Sequence, residues 1–445
     1  MNDNLKALFT GEYCLSDSQK QAFDILNKTK HNLFVQGQAG TGKSTFISYL
    51  QAKLDKNIIV CSPTAVAALN VGGVTLHSLF RLPICDYISD DNLYRGNRKK
   101  TAELLKETDL LIIDEISMVR PDILDAVDKL CKRLCRSRKP FGGIQVLLMG
   151  DLYQLPPVIT SGSAKVFETL YSTRDVYFFD SEAYKNGNFV NIEFDQVYRQ
   201  ADITLLDMLN DLRNNDNLSK VIDYFNTCKI TDKKILDNAV TITPYKSTAD
   251  EINIQKLNKL TAKSKKYKAS KNGSFEKSST VPAPEELVLK EGALIMFNKN
   301  NSPEWINGST GIIEMLGTDI IKVKLIDSDR TVIVTREQWE NKEYEIEENF
   351  DSKGKPLKPT IIEKITGTYK QFPLQLGYGL TIHKAQGKTL SKVNIDISHG
   401  AFAHGQLYVA LSRTRNKEDM NLLNKITVKD SIISPRVIKF MKLLK

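Results

Sequence analysis

Gly37-Gln38-Ala39-Gly40-Thr41-Gly42-Lys43-Ser44 meets every fixed position of the pattern G-x-x-x-x-G-K-[ST]. In such a loop the glycines let successive backbone N–H groups wrap a polyphosphate without steric penalty. Lys43 is placed to reach the outer phosphates, and the Ser44 hydroxyl to hold Mg²⁺. The flanks fit the same reading. His31-Asn32-Leu33-Phe34-Val35 predicts a short buried strand leading in, and Thr45-Phe46-Ile47-Ser48-Tyr49-Leu50 a helix leading out. That strand–loop–helix order aims a helix N-terminus at the phosphates. The expected ligand is a nucleoside triphosphate; a purely structural loop is the competing reading.

A second apolar run, Leu110-Leu111-Ile112-Ile113, ends in Asp114-Glu115. In such sites the strand-end aspartate supports Mg²⁺, and the adjacent glutamate polarises the attacking water as general base. The acid pair favours hydrolysis over binding alone, although kinases of small metabolites also carry a phosphate loop. Gly150-Asp151-Leu152-Tyr153-Gln154 follows a third apolar run, Val146–Met149. Gln154 therefore falls at a strand's C-terminal end, where α/β sheets place ligand contacts. Arg199, in Val197-Tyr198-Arg199-Gln200, and Arg413, in Leu411-Ser412-Arg413-Thr414, lie far along the chain from the loop. An arginine brought to the terminal phosphate from a second domain stabilises charge in the transition state and ties hydrolysis to closure. Taken singly, each arginine reads as well as a surface ion pair.

With 445 residues the chain is too long for one compact core, so two to four domains are expected. Its 41% hydrophobic and 26% charged residues are ordinary for a soluble globular protein. No apolar stretch approaches a membrane span and the N-terminal residues lack a signal-peptide layout, so a cytoplasmic location without membrane contact is expected. Six cysteines show no C-x-x-C spacing, and Cys131 and Cys135 have no histidine nearby to complete a metal set. They are expected to be reduced structural thiols. The net charge of +9 favours a polyanionic partner without establishing one.

Together, these segments resemble superfamily 1 helicases of the RecD-like branch, and within it the PIF family. Further residues carry the likeness: Leu15-Ser16 through Gln19, Cys61-Ser62-Pro63-Thr64 through His77-Ser78-Leu79-Phe80, Lys139-Pro140-Phe141-Gly142-Gly143, and Leu380-Thr381-Ile382-His383-Lys384-Ala385-Gln386-Gly387. The matches run in order from about residue 13 to 418. The resemblance implies an α/β fold of two RecA-like P-loop domains in tandem, with a small insertion in the first and an SH3-like β-barrel inserted in the second. It implies ATP and Mg²⁺ as cofactors, and 5′-to-3′ movement on single-stranded DNA with unwinding of duplex or structured DNA, in replication, repair or recombination. By position, Gln19 would bond adenine. Gly37, Ala39, Gly40, Thr41, Gly42, Lys43, Ser44 and Thr45 would bind phosphates, with Ser44 and Asp114 on the metal and Gly387 lining the cleft. Glu115 would be the general base, Gln154 would sense the terminal phosphate, and Arg199 and Arg413 would act as fingers. Pro63, Thr64, His77, His383 and Lys384 would face single-stranded DNA; for the two histidines plain packing is the alternative. Single strands and single/double-strand junctions are the implied partners. A monomer in the unbound state is expected, nucleoid-associated in a bacterium or acting in a virus-infected cell.

The chain is expected to divide into four parts. Residues 1–80 and 109–194 form the first RecA-like domain, with strands near 33–35, 57–61, 110–114 and 145–149 alternating with helices. Residues 81–108 interrupt it with a polar stretch; the resemblance implies a small subdomain carrying a duplex-splitting wedge, while composition alone reads equally as a disordered surface excursion. Residues 195–261 and 368–445 form the second RecA-like domain, and 262–367 the inserted barrel. Residues 261–280 hold six lysines against one acid and read as a flexible basic surface. Segments 293–297, 321–325 and 331–334 read as strands, with Asn307-Gly308 turning the chain. Phe297 and Trp305 are candidates for stacking on bases, with core packing as the preferred reading of either. Two rivals stay open: an ATP-gated single-strand loading protein and an RNA-directed remodeller, since no residue here distinguishes a 2′-hydroxyl reader.

Overall fold

The computed structural model describes residues 14–94, 97–198, 202–228, 239–277, 281–301, 304–326 and 328–444. Six strands open the chain: β1 (Asn32–Gly37), β2 (Ile58–Ser62), β3 (Val74–Thr75), β4 (Leu110–Ile113), β5 (Gln145–Gly150) and β6 (Phe189–Phe194). They form one sheet in the order β3-β2-β4-β5-β1-β6, with every pairing parallel. The apolar runs that predict β1, β4 and β5 are buried throughout, as expected of a sheet covered on both faces. Alternation divides them between two cores. Phe34, Leu111, Ile113 and Leu148 enter one, and Leu33, Val35, Leu110, Ile112 and Leu147 the other.

The principal helices are α1 (Asp17–Lys28), α2 (Lys43–Lys53), α3 (Lys99–Glu107), α4 (Pro121–Leu134), α5 (Ile203–Asn214), α6 (Gln406–Leu411) and α7 (Pro435–Leu444). The polar stretch within 81–108 is packed rather than a loose excursion among its described residues. Leu82, Ile88, Leu93, Leu104 and Leu105 are buried in the first core, the last two on α3.

The second parallel sheet begins with β7 (Val240–Thr243) and is then interrupted by ten strands. These are β8 (Lys265–Lys268), β9 (Ser270–Gly273), β10 (Glu286–Leu289), β11 (Leu294–Phe297), β12 (Thr310–Leu316), β13 (Ile321–Leu325), β14 (Thr331–Val334), β15 (Glu337–Glu347), β16 (Thr360–Gln371) and β17 (Leu374–Leu376). The sheet resumes with β18 (Gly379–Thr381), β19 (Val393–Ile395) and β20 (Met420–Leu422), in the order β18-β7-β19-β20. Within the insertion, β14-β13-β12-β11-β17 form an antiparallel five-stranded sheet around their own core.

The structure corrects two expectations and decides between the two readings of Phe297 and Trp305. The basic stretch at 261–280 contains two paired strands: β8 lies against β10 and β9 against β16. Lys266 and Lys271 are neutralised by Glu286 and Glu285, acids that come from later in the chain. Phe297 and Trp305 are both buried and stack on each other at 4.6 Å, so they are core and not a platform for bases. Finally, β16 runs straight through position 368, and β17 pairs with β11, so the inserted strands continue to Leu376.

The β15–β16 hairpin reaches across to the first sheet. The backbone N–H of Val60 donates to the Tyr344 hydroxyl at 3.1 Å, and the Asn57 side chain donates to the Pro359 carbonyl at 3.0 Å. Lys100 on α3 meets Glu345 at 2.7 Å. Late in the chain, α7 folds back onto the first half, where Phe440 stacks on Phe179 at 4.1 Å.

Candidate nucleotide cleft and nucleic-acid face

The phosphate loop joins β1, which lies between β5 and the edge strand β6, to α2. Gly40 and Gly42 adopt φ of 91° and 77°, which the loop needs to turn its amides inward and which side chains rarely tolerate. Ser44 and Thr45 lie on the first turn of α2, both exposed. Lys43 Nζ donates to the carbonyls of Gly37 and Gln38 at 2.7 and 2.9 Å. Thr41 is buried, its hydroxyl donating to the Gln38 carbonyl at 3.0 Å. Gln19 is buried on α1 and used at both ends. Its Oε1 accepts from the Ser16 amide at 3.1 Å, closing a capping box, and its Nε2 donates to the Thr41 carbonyl at 3.2 Å. Gln19 therefore shores up the loop directly.

Asp114 and Glu115 leave the end of β4. Burial, then the neighbouring Glu115, pushes the Asp114 carboxyl up to about 7, while Lys43 pulls it down. Burial likewise raises Glu115, opposed first by Lys43. Glu115 sits at φ 51°, a left-handed conformation that costs a non-glycine residue about 1–2 kcal/mol. Two carboxyls side by side, with the Ser44 hydroxyl on the adjoining helix, fit a divalent cation and its phosphates.

The second half closes over this face. Gln386 Nε2 donates to Glu115 Oε2 at 3.1 Å. His404 Nε2 bonds the Leu152 carbonyl at 2.8 Å, while its Nδ1 accepts from the Ser434 amide, so the ring is the neutral Nε2–H tautomer. Gly405, at φ 72°, packs where any Cβ would overlap the carbonyls of Tyr153 and Gln154. Gln154 itself is buried, donating to Asp151 Oδ2 at 3.1 Å. Arg413 is fully buried, and its guanidinium donates to the carbonyls of Val409, Ala385 and Lys388. Its charge nevertheless acts on Glu115 and lowers that carboxyl's pKa. Gly387 adopts φ 77° with open space where a Cβ would stand. Arg199 lies outside the described residues.

The residues assigned to a nucleic acid also gather at strand ends. Pro63 and Thr64 follow β2, His77 follows β3, and His383 and Lys384 follow β18. Thr64 accepts the Ala67 amide as a helix cap at 3.2 Å. His77 and His383 are held below the ordinary histidine range, chiefly by burial; Lys384 is exposed.

Sequence reasoning missed four residues at this site. Tyr198 bonds its amide to the Gly40 carbonyl at 2.8 Å and leaves its ring exposed beside Gly42. Asp151, Tyr408 and Arg213 meet across the cleft. Tyr198 and Asp151 stand inside motifs and Tyr408 beside one, but spacing does not say which partners they find.

Fold and site together define a two-lobed P-loop NTPase motor with an inserted set of antiparallel strands. Residues 14–234 match the model of the PIF1-like helicase family. The ATP-dependent DNA helicase Pif1 of Bdellovibrio bacteriovorus is 31% identical across 96% of this chain and 92% of its own. Bacteroides sp Pif1 in complex with ADP-AlF4 is 35% identical, covers 97% of each chain and superposes with a TM-score of 0.86. Bacteroides Pif1 bound to ssDNA matches over the same share of each chain but with a TM-score of 0.68. The chain belongs to the PIF1-like helicase family.

Proposed function

We propose that this protein is an ATP-dependent DNA helicase that moves 5′-to-3′ along single-stranded DNA and unwinds duplex or structured DNA. The observation that carries the reading is the convergence of the phosphate loop, Asp114-Glu115 and Gln154 on one sheet edge, covered by Gln386, His404 and Arg413 from the second half. A nucleotide held there touches both halves, so its hydrolysis can move one against the other.

ATP supplies the reactive phosphoanhydride when bound. Lys43 leaves the Gly37 and Gln38 carbonyls to neutralise the outer phosphates, and Ser44 and Asp114 would hold Mg²⁺, Asp114 then in its ionised form. Glu115 accepts the proton of the attacking water. Arg413 and Arg199 stabilise the terminal phosphate; for Arg413 this requires exchanging its present carbonyl partners. Gln19 keeps the loop in place, with its remaining amide proton for adenine, and the exposed Tyr198 ring offers the base a stacking face.

Single-stranded DNA crosses the strand ends at Pro63, Thr64 and His77 on one half and at His383 and Lys384 on the other. Single/double-strand junctions are the expected sites of action, with the segment around α3 as wedge. The lower TM-score to the DNA-bound relative supports rearrangement of the halves and insertion on binding. The protein acts as a monomer when unbound, in the cytoplasm and on the nucleoid.

The test is ATP hydrolysis with and without single-stranded DNA or RNA, by the wild type and by Lys43→Ala. DNA-stimulated turnover that vanishes in the variant, with DNA binding kept, is expected. Turnover unaffected by either nucleic acid, or surviving Lys43→Ala, contradicts the reading.

A further inference from the structure

Asp151 is fully buried at the end of β5, and its carboxylate is saturated. Oδ1 accepts from Gln36 Nε2 at 2.9 Å and from the Tyr153 amide at 3.2 Å; Oδ2 accepts from Gln154 Nε2 at 3.1 Å and from the Tyr408 hydroxyl at 3.3 Å. An ionised carboxylate offers about four lone-pair sites, and four donors occupy them. A fifth group waits. Arg213 Nε lies 3.9 Å from Asp151 Oδ1, buried and without a hydrogen-bond acceptor among the described residues. The rest of that guanidinium is already engaged with the first half, bonding Glu193 at 3.1 Å and covering the Tyr153 ring at 4.5 Å.

The donors fall into two groups. Gln36 and the Tyr153 amide are fixed within the first half, and Gln36 Oε1 also accepts the Leu152 amide at 3.1 Å. Tyr408, on α6, and Arg213, on α5, come from later in the chain, and those two helices pack on each other. The Ala39 amide of the phosphate loop lies close enough to favour the ionised Tyr408 hydroxyl. Of the four bound donors, the Gln154 amide is the one that the helicase reading assigns to the terminal phosphate.

We propose that Arg213 and Tyr408 are positioning residues of the hydrolysis cycle. When a nucleotide draws α5 and α6 inward, Arg213 bonds Asp151 Oδ1, and its charge, by neutralising the carboxylate, weakens the bond from Gln154 to Oδ2 and releases that amide toward the terminal phosphate. An advance of about 1 Å turns the 3.9 Å approach into a hydrogen bond of ordinary length. Reopening reverses the exchange. Tyr408 keeps the carboxylate aligned in both states. The inference rests on the helicase reading for the identity of the nucleotide, while the exchange of partners needs only that a nucleotide bind.

The test uses the full chain and the variants Arg213→Ala, Arg213→Lys and Tyr408→Phe. Amide exchange over residues 150–157 is measured without nucleotide and with ADP plus aluminium fluoride, beside steady-state ATP hydrolysis on single-stranded DNA. The wild type is expected to change protection in this loop when the nucleotide binds, and Arg213→Ala to lose that response. Arg213→Ala and Tyr408→Phe should lower kcat by about tenfold or more with KM for ATP within about twofold, and Arg213→Lys should recover part of kcat. Unchanged kcat in both variants, or an undiminished loop response in Arg213→Ala, would overturn the proposal. So would a kcat loss that tracks only a lower Tm, with Lys no better than Ala. A wild type that hydrolyses no ATP would defeat the helicase reading, and the exchange response would still decide the inference.

Discussion

Lys43 parks its ammonium on two carbonyls of its own loop, at 2.7 and 2.9 Å, where an incoming phosphate can take it over. Replacing it removes positive charge from a site where charge develops during transfer, so Lys43→Ala should reduce kcat on the order of 10²–10³-fold. Single-strand affinity without nucleotide should stay near wild type; a filter-binding titration beside a phosphate-release assay checks both. A second residue gives a signed pH dependence. Lys388 bonds the side-chain oxygen of Asn307 at the seam with the inserted strands, and burial followed by Lys384 lowers its ammonium to about 8. Its folded pKa is thus depressed below the unfolded value, so between about 8 and 10.4 the unfolded chain binds more protons and this group's contribution to stability rises with pH. Lys388→Met should therefore raise Tm at pH 7 more than at pH 10. Equal shifts at the two pH values would contradict it. At this scale the sequence was most legible where a motif fixes backbone and chemistry together, as at Gly37–Ser44 and Asp114-Glu115. It was least legible where function depends on a partner. Asp151 and Gln386 stand in motifs and Tyr408 next to one, yet their contacts cross between segments separated by hundreds of residues.

Among the elements that sequence patterning did not place, the β15–β16 hairpin has the clearest reason. Glu337–Glu347 is charged on both faces, and a strand polar on both sides gives no periodic signal to read. Its role shows only in space, where the Tyr344 side chain is buried against β2 and supplies an acceptor to the Val60 amide. Tyr344→Phe keeps the ring and removes that acceptor, leaving a buried N–H unmatched at a cost of about 1–3 kcal/mol. The docked hairpin should loosen, seen as faster amide exchange at Val60 and along 337–371 in the DNA-free protein. Exchange indistinguishable from wild type would mean that Tyr344 does not hold the hairpin down. By contrast, β1, β4 and β5 were readable as continuous apolar runs, because a parallel strand buried on both faces leaves no other composition open to it.

The whole molecule combines two parallel sheets whose C-terminal edges face one cleft, an inserted set of antiparallel strands, and a C-terminal helix returned to the first half. Its tandem α/β plan could be read from the order of motifs. Its closure could not, since α7 and the hairpin bridge the halves from well-separated parts of the later sequence. Hydrolysis in such a cleft has ample free energy for the task, as separating one base-pair step costs only about 1.4 kcal/mol on average. The most direct measurement is ATP-dependent strand separation on matched DNA duplexes carrying only a 5′ or only a 3′ single-stranded tail. Unwinding confined to the 5′-tailed duplex, and absent in Lys43→Ala, is the predicted result. ATP hydrolysis stimulated by single strands with neither duplex opened would contradict the account and leave an ATP-gated single-strand loading protein in its place.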